Sequence, residues 1–266
     1  MRIALGIEYD GSEFSGWQTQ CGQRTVQPLV ERAISSVADH SASIQCAGRT
    51  DARVHASYQV IHFDTLARRS NRSWVLGTNV NLPPDVSILW ARPVSDGFHA
   101  RFSAISRTYD YVICNRSTKP GLWHGRLTWE YRPLDIERMS QAAAYWLGEH
   151  DFSTFRASGC QAKNPVRTIN RFEVHASGGL VSLKVEANAF LQHMVRNFAG
   201  VLMEIGMGKR EPEWAKEVLD KRDRECGGVT APPDGLYLTA VDYPGEFALP
   251  QPGLFKPAFL AYSGPA

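Results

Sequence analysis

The chain has 266 residues, a mass of 29.6 kDa and a formal net charge of +2, and its length suits one large domain or two packed halves. Its 43% apolar and 21% charged residues exclude a disordered or low-complexity protein, and no apolar run reaches the ~18 residues of a membrane-spanning helix. The charges of Glu8 and Asp10 come too early for a signal peptide, so we expect a cytoplasmic protein.

The first hundred residues alternate between strand and helix patterns. Residues 2–9 alternate in polarity and predict a strand, and Thr25 is placed to cap a helix that runs to about residue 38. Two further strands are predicted over residues 43–48 and 58–64, with the polar loop GRTDARVHA between them. A helix over residues 70–78 and a strand after NLPPDV complete this part.

The rest of the chain shows a second series of strands and helices. The predictions in chain order are a strand over 106–115, a helix over 134–150, a strand pair joined at 177–179, helices over 189–207 and from Pro212, and a strand over 236–243.

These patterns predict an α/β (α+β) protein made of two similar halves with mainly antiparallel sheets. The halves span residues 1–100, which contain the polar loop, and residues 105–245. Residues 246–266 are rich in proline and are expected to form an extended tail over the surface.

The sequence lacks the signatures of several common enzyme classes. It has no GxGxxG after a strand, no P-loop, no HExxH and no GxSxG motif. Its five cysteines are widely spaced without a CxxC pair, which argues against a disulfide framework or a zinc site. We therefore expect reduced thiols and no metal.

The polar loop at residues 48–55 reads GRTDARVH and places one carboxylate among two arginines. One interpretation is a solvated turn that Asp51 holds in shape. The other is chemical, because neighbouring positive charge keeps an aspartate ionised and an ionised carboxylate can act as a nucleophile.

Two other segments place arginine in apolar surroundings. Period two puts Arg107, Tyr109 and Tyr111 on one strand face, either as part of the core or as a tyrosine that stacks on a base beside an arginine that binds phosphate. Arg196 lies in an apolar helix and needs a carboxylate partner, for which Asp51 is the candidate.

Taken together, these segments resemble the tRNA pseudouridine synthase A family. The family pattern GRTDxGVH matches GRTDARVH here, and the resemblance runs from residue 2 to about residue 250. The other matching segments are EYDGSEFSGWQ, NLPPDV, FHARFSA, RTYDYVI, DFSTF, NAFLQHMVRN and GLYL.

The resemblance implies two α/β halves whose strands form an extended mixed, mainly antiparallel sheet flanked by helices, the pseudouridine synthase fold. It implies a homodimer that needs no cofactor, does not bind DNA or membranes, and isomerises uridine to pseudouridine at positions 38, 39 and 40 in the anticodon stem-loop of tRNA.

The resemblance also implies roles for five residues. By motif position, Asp51 is the catalytic nucleophile and Tyr109 stacks on the target base. Arg49 helps to evert the nucleotide, Arg196 pairs with the catalytic aspartate, and Leu236 packs under the base pocket.

One position departs from the family pattern, because Arg53 replaces the glycine of GRTDxGVH. Glycine serves either a positive φ or a close approach of RNA. Arginine is strained in the first case, and in the second it crowds the RNA or adds a phosphate contact. Two alternatives to the synthase also stay open: a catalytically inactive tRNA-binding protein, and a glycosidase with a second carboxylate ~5–9 Å from the first.

Overall fold

The structure, a computed structural model, describes residues 1–252. These residues contain ten strands and five α-helices. In chain order they are β1 (Arg2–Tyr9), α1 (Val26–Ala38), β2 (Gln45–Cys46), β3 (His55–Asp64), α2 (Asn71–Val80), β4 (Val86–Val94), β5 (Ser106–Asn115), β6 (Thr128–Glu130), α3 (Ile136–Ala144), β7 (Gly148–Asp151), β8 (Val166–Ser177), β9 (Leu180–Ala187), α4 (Met194–Gly206), α5 (Trp214–Lys221) and β10 (Leu236–Asp242).

The first of two compact units contains Met1–Arg107 and the described residues from Tyr237 onward. Its strand order is β4-β1-β3-β10, with β2 paired to β3. β1 runs antiparallel to β3 and to β4, whereas β10 runs parallel to β3 through the pair Tyr237 and His55. Nearly every residue of β1 and β3 is buried, as expected for central strands. Helix α2 packs on α1 and β4.

The second unit contains Thr108–Leu236. Its strand order is β5-β9-β8-β7, with β6 parallel to β5. β8 and β9 form a hairpin that closes where Ser177 pairs with Leu180. The core of this unit is aromatic, because Trp146 stacks on Phe198 with ring centroids 4.6 Å apart. The predicted fold class is confirmed: both units combine helices with a mainly antiparallel sheet.

The structure differs from the predicted secondary structure mainly at helix ends. The predicted helix 134–150 stops at Ala144, because Gly148 has φ 90° and the following residues pair with β8 as β7. The predicted helix 189–207 begins only at Met194, because His193 has φ 63°. Both residues hold left-handed backbone that a helix cannot contain. Thr25 occupies the N-cap position of α1, but its side chain forms no capping hydrogen bond.

The unit boundaries differ from the predicted halves in one element. Residues 237–242 belong with the first unit, whereas the sequence patterns grouped them with residues 105–245. The physical reason is the parallel pairing of β10 with β3. Of the predicted tail, residues 253–266 lie outside the described residues. No helix within residues 1–252 has the length and apolar character needed to cross a bilayer.

Candidate active site

The GRTDARVH loop connects β2 to β3, and its backbone is held on both sides of Asp51. The carbonyl of Thr50 accepts a hydrogen bond from the Trp17 amide at 3.0 Å. The carbonyl of Asp51 accepts one from the Val54 amide at 3.2 Å. The Asp51 side chain keeps partial exposure, and Arg49 is exposed. The loop therefore presents a carboxylate and a cation from a fixed backbone.

Tyr9 and Gly16, two residues of the N-terminal segment, support this loop. The hydroxyls of Tyr9 and Thr50, both buried, form a hydrogen bond of 2.8 Å. Gly16 has φ 98°, and a Cβ added there would lie only 2.8 Å from the Thr50 carbonyl oxygen. The close approach of the two segments therefore requires glycine at position 16.

Arg53 holds a left-handed backbone, with φ 65°. Its amide donates to the carbonyl of Phe14 at 3.0 Å, and its side chain is exposed. Of the two explanations for glycine at this position in the family pattern, the positive φ therefore applies. Arginine adopts the same turn with a strained backbone.

His55, at the end of the loop, anchors it to the start of the chain. The buried imidazole accepts a hydrogen bond from the Gly11 amide at 3.0 Å and stacks on Tyr237 with centroids 4.5 Å apart. Its Nδ1 lies 3.2 Å from the Asp10 carboxylate. The adjacent His55 imidazole, with hydrogen bonds from the Ser12 amide and hydroxyl, holds the pKa of Asp10 well below its usual range. These supports were not predicted, although Asp10 and His55 both lie within the quoted family motifs.

The second unit holds Tyr109, Arg196 and Leu236. Tyr109 is a buried residue of β5, and its ring meets that of Phe190 edge to face with centroids 5.0 Å apart. The Nε of Arg196 donates to the Ala231 carbonyl at 2.9 Å, and the Ala231 amide donates to the Arg196 carbonyl at 3.1 Å. Leu236 is buried.

Backbone and side-chain contacts join these three segments within the unit. The Tyr111 hydroxyl donates to the Pro232 carbonyl at 2.9 Å, and the Val112 amide donates to the Gly235 carbonyl at 2.8 Å. Strand β5, the start of α4 and the segment 231–236 are thus adjacent. The pairing of Arg196 with Asp51 stays a prediction.

Arg107 does not present its charge to solvent, so its interpretation as a phosphate contact is wrong. It is only 8% exposed, and its guanidinium donates to the carbonyls of Ala47 (3.1 Å), Arg101 (2.5 Å) and Ala104 (3.2 Å). Within residues 1–252, no group of three or more His, Cys, Asp or Glu side chains is placed to hold a metal ion.

Comparison with known proteins identifies the family. A sequence profile described as "tRNA pseudouridine synthase" matches residues 6–103 and 142–244. The chain belongs to the tRNA pseudouridine synthase family. This membership confirms the predicted enzyme class, an isomerase that acts on tRNA.

Three relatives, each named tRNA pseudouridine synthase A, are similar over nearly their whole length. The protein of Nitrosococcus oceani is 57% identical over 94% of this chain and 97% of its own. That of Coxiella burnetii is 54% identical over 97% and 99%, and that of Pseudomonas aeruginosa is 56% identical over 98% and 91%. A solved structure titled "Crystal Structure of a Cbf5-Nop10-Gar1 Complex" covers 88% of this chain and 57% of its own, with a TM-score of 0.35 and 10% identity.

Proposed function

We propose that this chain isomerises uridine to pseudouridine at positions 38, 39 and 40 of the anticodon stem-loop of tRNA, with Asp51 as nucleophile. The observation that carries the proposal is the partly exposed Asp51 side chain on a loop whose backbone is hydrogen-bonded on both sides of it. A fixed nucleophile loses little entropy on reaching its target. Relatives named tRNA pseudouridine synthase A support the tRNA substrate.

The proposed reaction exchanges one glycosidic bond for another. A carboxylate oxygen of Asp51 attacks either the ribose C1′ or C6 of the base, and the N1–C1′ bond breaks. The uracil rotates and C5 bonds to C1′. A bond between Asp51 and C1′ breaks in this step, whereas a bond between Asp51 and C6 breaks when the C5 hydrogen leaves, so the Asp51 carboxylate is regenerated. The hydrogen of C5 then leaves as a proton, N1 takes up a proton, and the product has the mass of the substrate. The Tyr109 hydroxyl or a water accepts the C5 proton.

The other site residues receive roles that fit this chemistry. The target nucleotide must leave the base stack, which costs a few kcal/mol. Exposed Arg49 is suited to occupy the vacated space, and the ring of Tyr109 is suited to hold the uracil face while it turns. Arg196 is proposed to pair with the nucleophile, and Leu236 to pack under the base. The enzyme is proposed to act as a cytoplasmic homodimer without a cofactor.

The test is tritium release from tRNA labelled with 5-³H-uridine, because isomerisation transfers the glycosidic bond to C5. Wild type, Asp51→Asn and the control Asp39→Asn are compared. Asp39 is an exposed carboxylate at the end of α1 with φ 58°, a conformation that asparagine also tolerates. We expect release by wild type and Asp39→Asn, and none by Asp51→Asn.

Other outcomes would replace the proposal. Release by Asp51→Asn at the wild-type rate would refute the nucleophile. Labelled tRNAs with a single uridine at position 38, 39 or 40 test the positions, and release from none of them would refute the assigned sites. Binding of tRNA without release would favour the inactive binding protein. Free uracil in solution would indicate a glycosidase, since a synthase leaves the RNA intact.

A further inference from the structure

The turn formed by residues 99–103 displays an exposed aromatic ring beside an exposed cation. Phe102 is 76% exposed, and Arg101 is exposed next to it. One face of the Phe102 ring is backed by the His99 imidazole, with centroids 4.4 Å apart and an interplanar angle of 34°. The guanidinium carbon of Arg101 lies 5.5 Å from the ring centroid.

Hydrogen bonds hold this turn in place. The Nδ1 of His99 accepts from the amides of Arg101 (3.1 Å) and Phe102 (3.3 Å). The Ser103 side chain accepts from the His99 amide at 2.9 Å, and the Ser103 amide donates to the His99 carbonyl at 2.9 Å. The exposed ring is therefore presented by a backbone that is already ordered, which lowers the entropy cost of binding.

The buried His62 and the half-buried Tyr243 support the turn through Ala100. Ala100 is fully buried, its amide donates to Nδ1 of His62 at 3.1 Å, and its carbonyl accepts from the Tyr243 hydroxyl at 2.6 Å. The His62 and His99 rings lie 4.7 Å apart. Exposure of Phe102 is thus a property of an anchored turn.

Arg107 connects the turn to the candidate active site. One terminal nitrogen of its buried guanidinium donates both to the Arg101 carbonyl and to the carbonyl of Ala47, the residue before the GRTDARVH loop. Arg49 and Arg101 also lie close enough to Cys46 to oppose the effect of burial, which raises the pKa of that thiol to about 11.

We infer that Phe102 and Arg101 form a second RNA contact, in which the ring stacks on an unpaired base outside the reaction centre and the guanidinium binds a nearby phosphate. The inference rests on the proposed function for the identity of the RNA. An exposed aromatic ring beside arginine is the chemistry that single-stranded nucleotides bind, by stacking and charge.

The test measures the Kd of a tRNA transcript with cytidine at positions 38, 39 and 40, so that binding is read apart from the proposed reaction. The variants are Phe102→Ala, Phe102→Leu and Phe102→Tyr. Tyr131→Ala is the matched control, because Tyr131 is 58% exposed and has the Arg132 guanidinium 5.2 Å from its ring centroid, but that guanidinium is already bonded to the Glu130 carboxylate. Stacking on a protein ring predicts about 10-fold weaker binding for the Ala and Leu variants. Tyr131→Ala and Phe102→Tyr should stay within about twofold of wild type.

Phe102→Leu separates stacking from packing, since leucine covers His99 but offers no aromatic face. Equal binding by wild type and the Leu variant, or equal binding by wild type and Phe102→Ala, would overturn the inference. For the cation, Arg101→Gln should reduce the slope of log Kd against log salt by about one unit. An unchanged slope would remove Arg101 from the contact.

Tritium release by wild type separates this inference from the proposed function. If wild type releases tritium and the Phe102 variants bind tRNA as tightly as wild type, the Phe102 contact is refuted and the proposed function is not. A 10-fold binding loss without wild-type release would refute the isomerisation and support the contact. Failure of wild type to bind tRNA would refute both. The Tm of each variant is measured beside its Kd. If Phe102→Ala has a lower Tm than wild type, the comparison of Phe102→Leu with Phe102→Tyr tests the stacking contact instead.

Discussion

Replacing Arg53 by glycine should stabilise the protein. A side chain in the left-handed region costs ~1–2 kcal/mol, and Arg53 has φ 65°. Removing this strain stabilises the folded state, but glycine has greater freedom in the unfolded chain, which offsets ~0.5–1 kcal/mol of the stabilisation. The net gain is therefore about 0.5–1 kcal/mol, or a rise of ~1–4 °C in Tm. The hydrogen bond from the amide of residue 53 to Phe14 uses backbone atoms, so glycine keeps it.

Thermal unfolding of Arg53→Gly beside Arg53→Ala separates backbone strain from charge. Alanine keeps the Cβ and hence the strain, so its Tm should stay close to that of wild type. Arg222→Gly is a second test of the strain argument. Arg222 has φ 52° at the end of α5, so its replacement by glycine should raise Tm by a similar amount. Equal melting of Arg53→Gly and Arg53→Ala would refute the strain argument. Turnover of Arg53→Gly should be kept or raised, and a large loss at unchanged Tm would give the Arg53 side chain a positive role.

Three other perturbations test the residues that support the GRTDARVH loop and the turn formed by residues 99–103. Gly16→Ala should lower tritium release far more than Gly22→Ala, because both have positive φ but only the Cβ at position 16 meets the Thr50 carbonyl. Tyr9→Phe or Thr50→Val alone should cost ~0.5–1.5 kcal/mol of unfolding free energy by removing the hydrogen bond between two buried hydroxyls, and the double variant should cost less than the sum. Burial, with the charges of His99 and Arg2, lowers the pKa of His62 to about 4. Between pH 6.5 and pH 4, the His62 imidazole is therefore protonated in the unfolded chain and neutral in the folded protein. Stability should fall by up to ~3 kcal/mol over that window, and His62→Asn, which keeps an acceptor, should remove most of this fall in urea titrations.

Sequence patterns predicted the long elements well and their ends less well. The bounds of β5 match the predicted strand 106–115, because this segment is rich in β-branched and aromatic residues, which favour strands. The helix that ends at Ala144 shows the limit, since helical spacing continues to Trp146 while Gly148 has a left-handed backbone and pairs with β8. Strands of three or four residues such as β6 and β7 depend on partners far along the chain, which local periodicity does not contain.

The candidate site divides in the same way. The GRTDARVH motif pointed to Asp51 and Arg49, because a carboxylate between two arginines is locally visible. What holds the loop is not local: the Tyr9 to Thr50 bond spans 41 residues, and the Gly11 to His55 bond spans 44. Tyr9 and Gly11 of the EYDGSEFSGWQ motif therefore support a loop that lies elsewhere in the sequence.

Arg107 shows why the side chain's surroundings, and not its charge alone, decide its function. The strand period groups it with Tyr109, and the sequence left two interpretations open for both residues: part of the core, or contacts to RNA. Its guanidinium instead donates to three backbone carbonyls. These hydrogen bonds hold the turn at residues 99–103 against the start of the GRTDARVH loop. Arg101, by contrast, is exposed. The buried Arg107 therefore helps to position the exposed Arg101 through the carbonyl of that residue, and the RNA contact proposed for Arg101 and Phe102 depends on a residue that is itself buried.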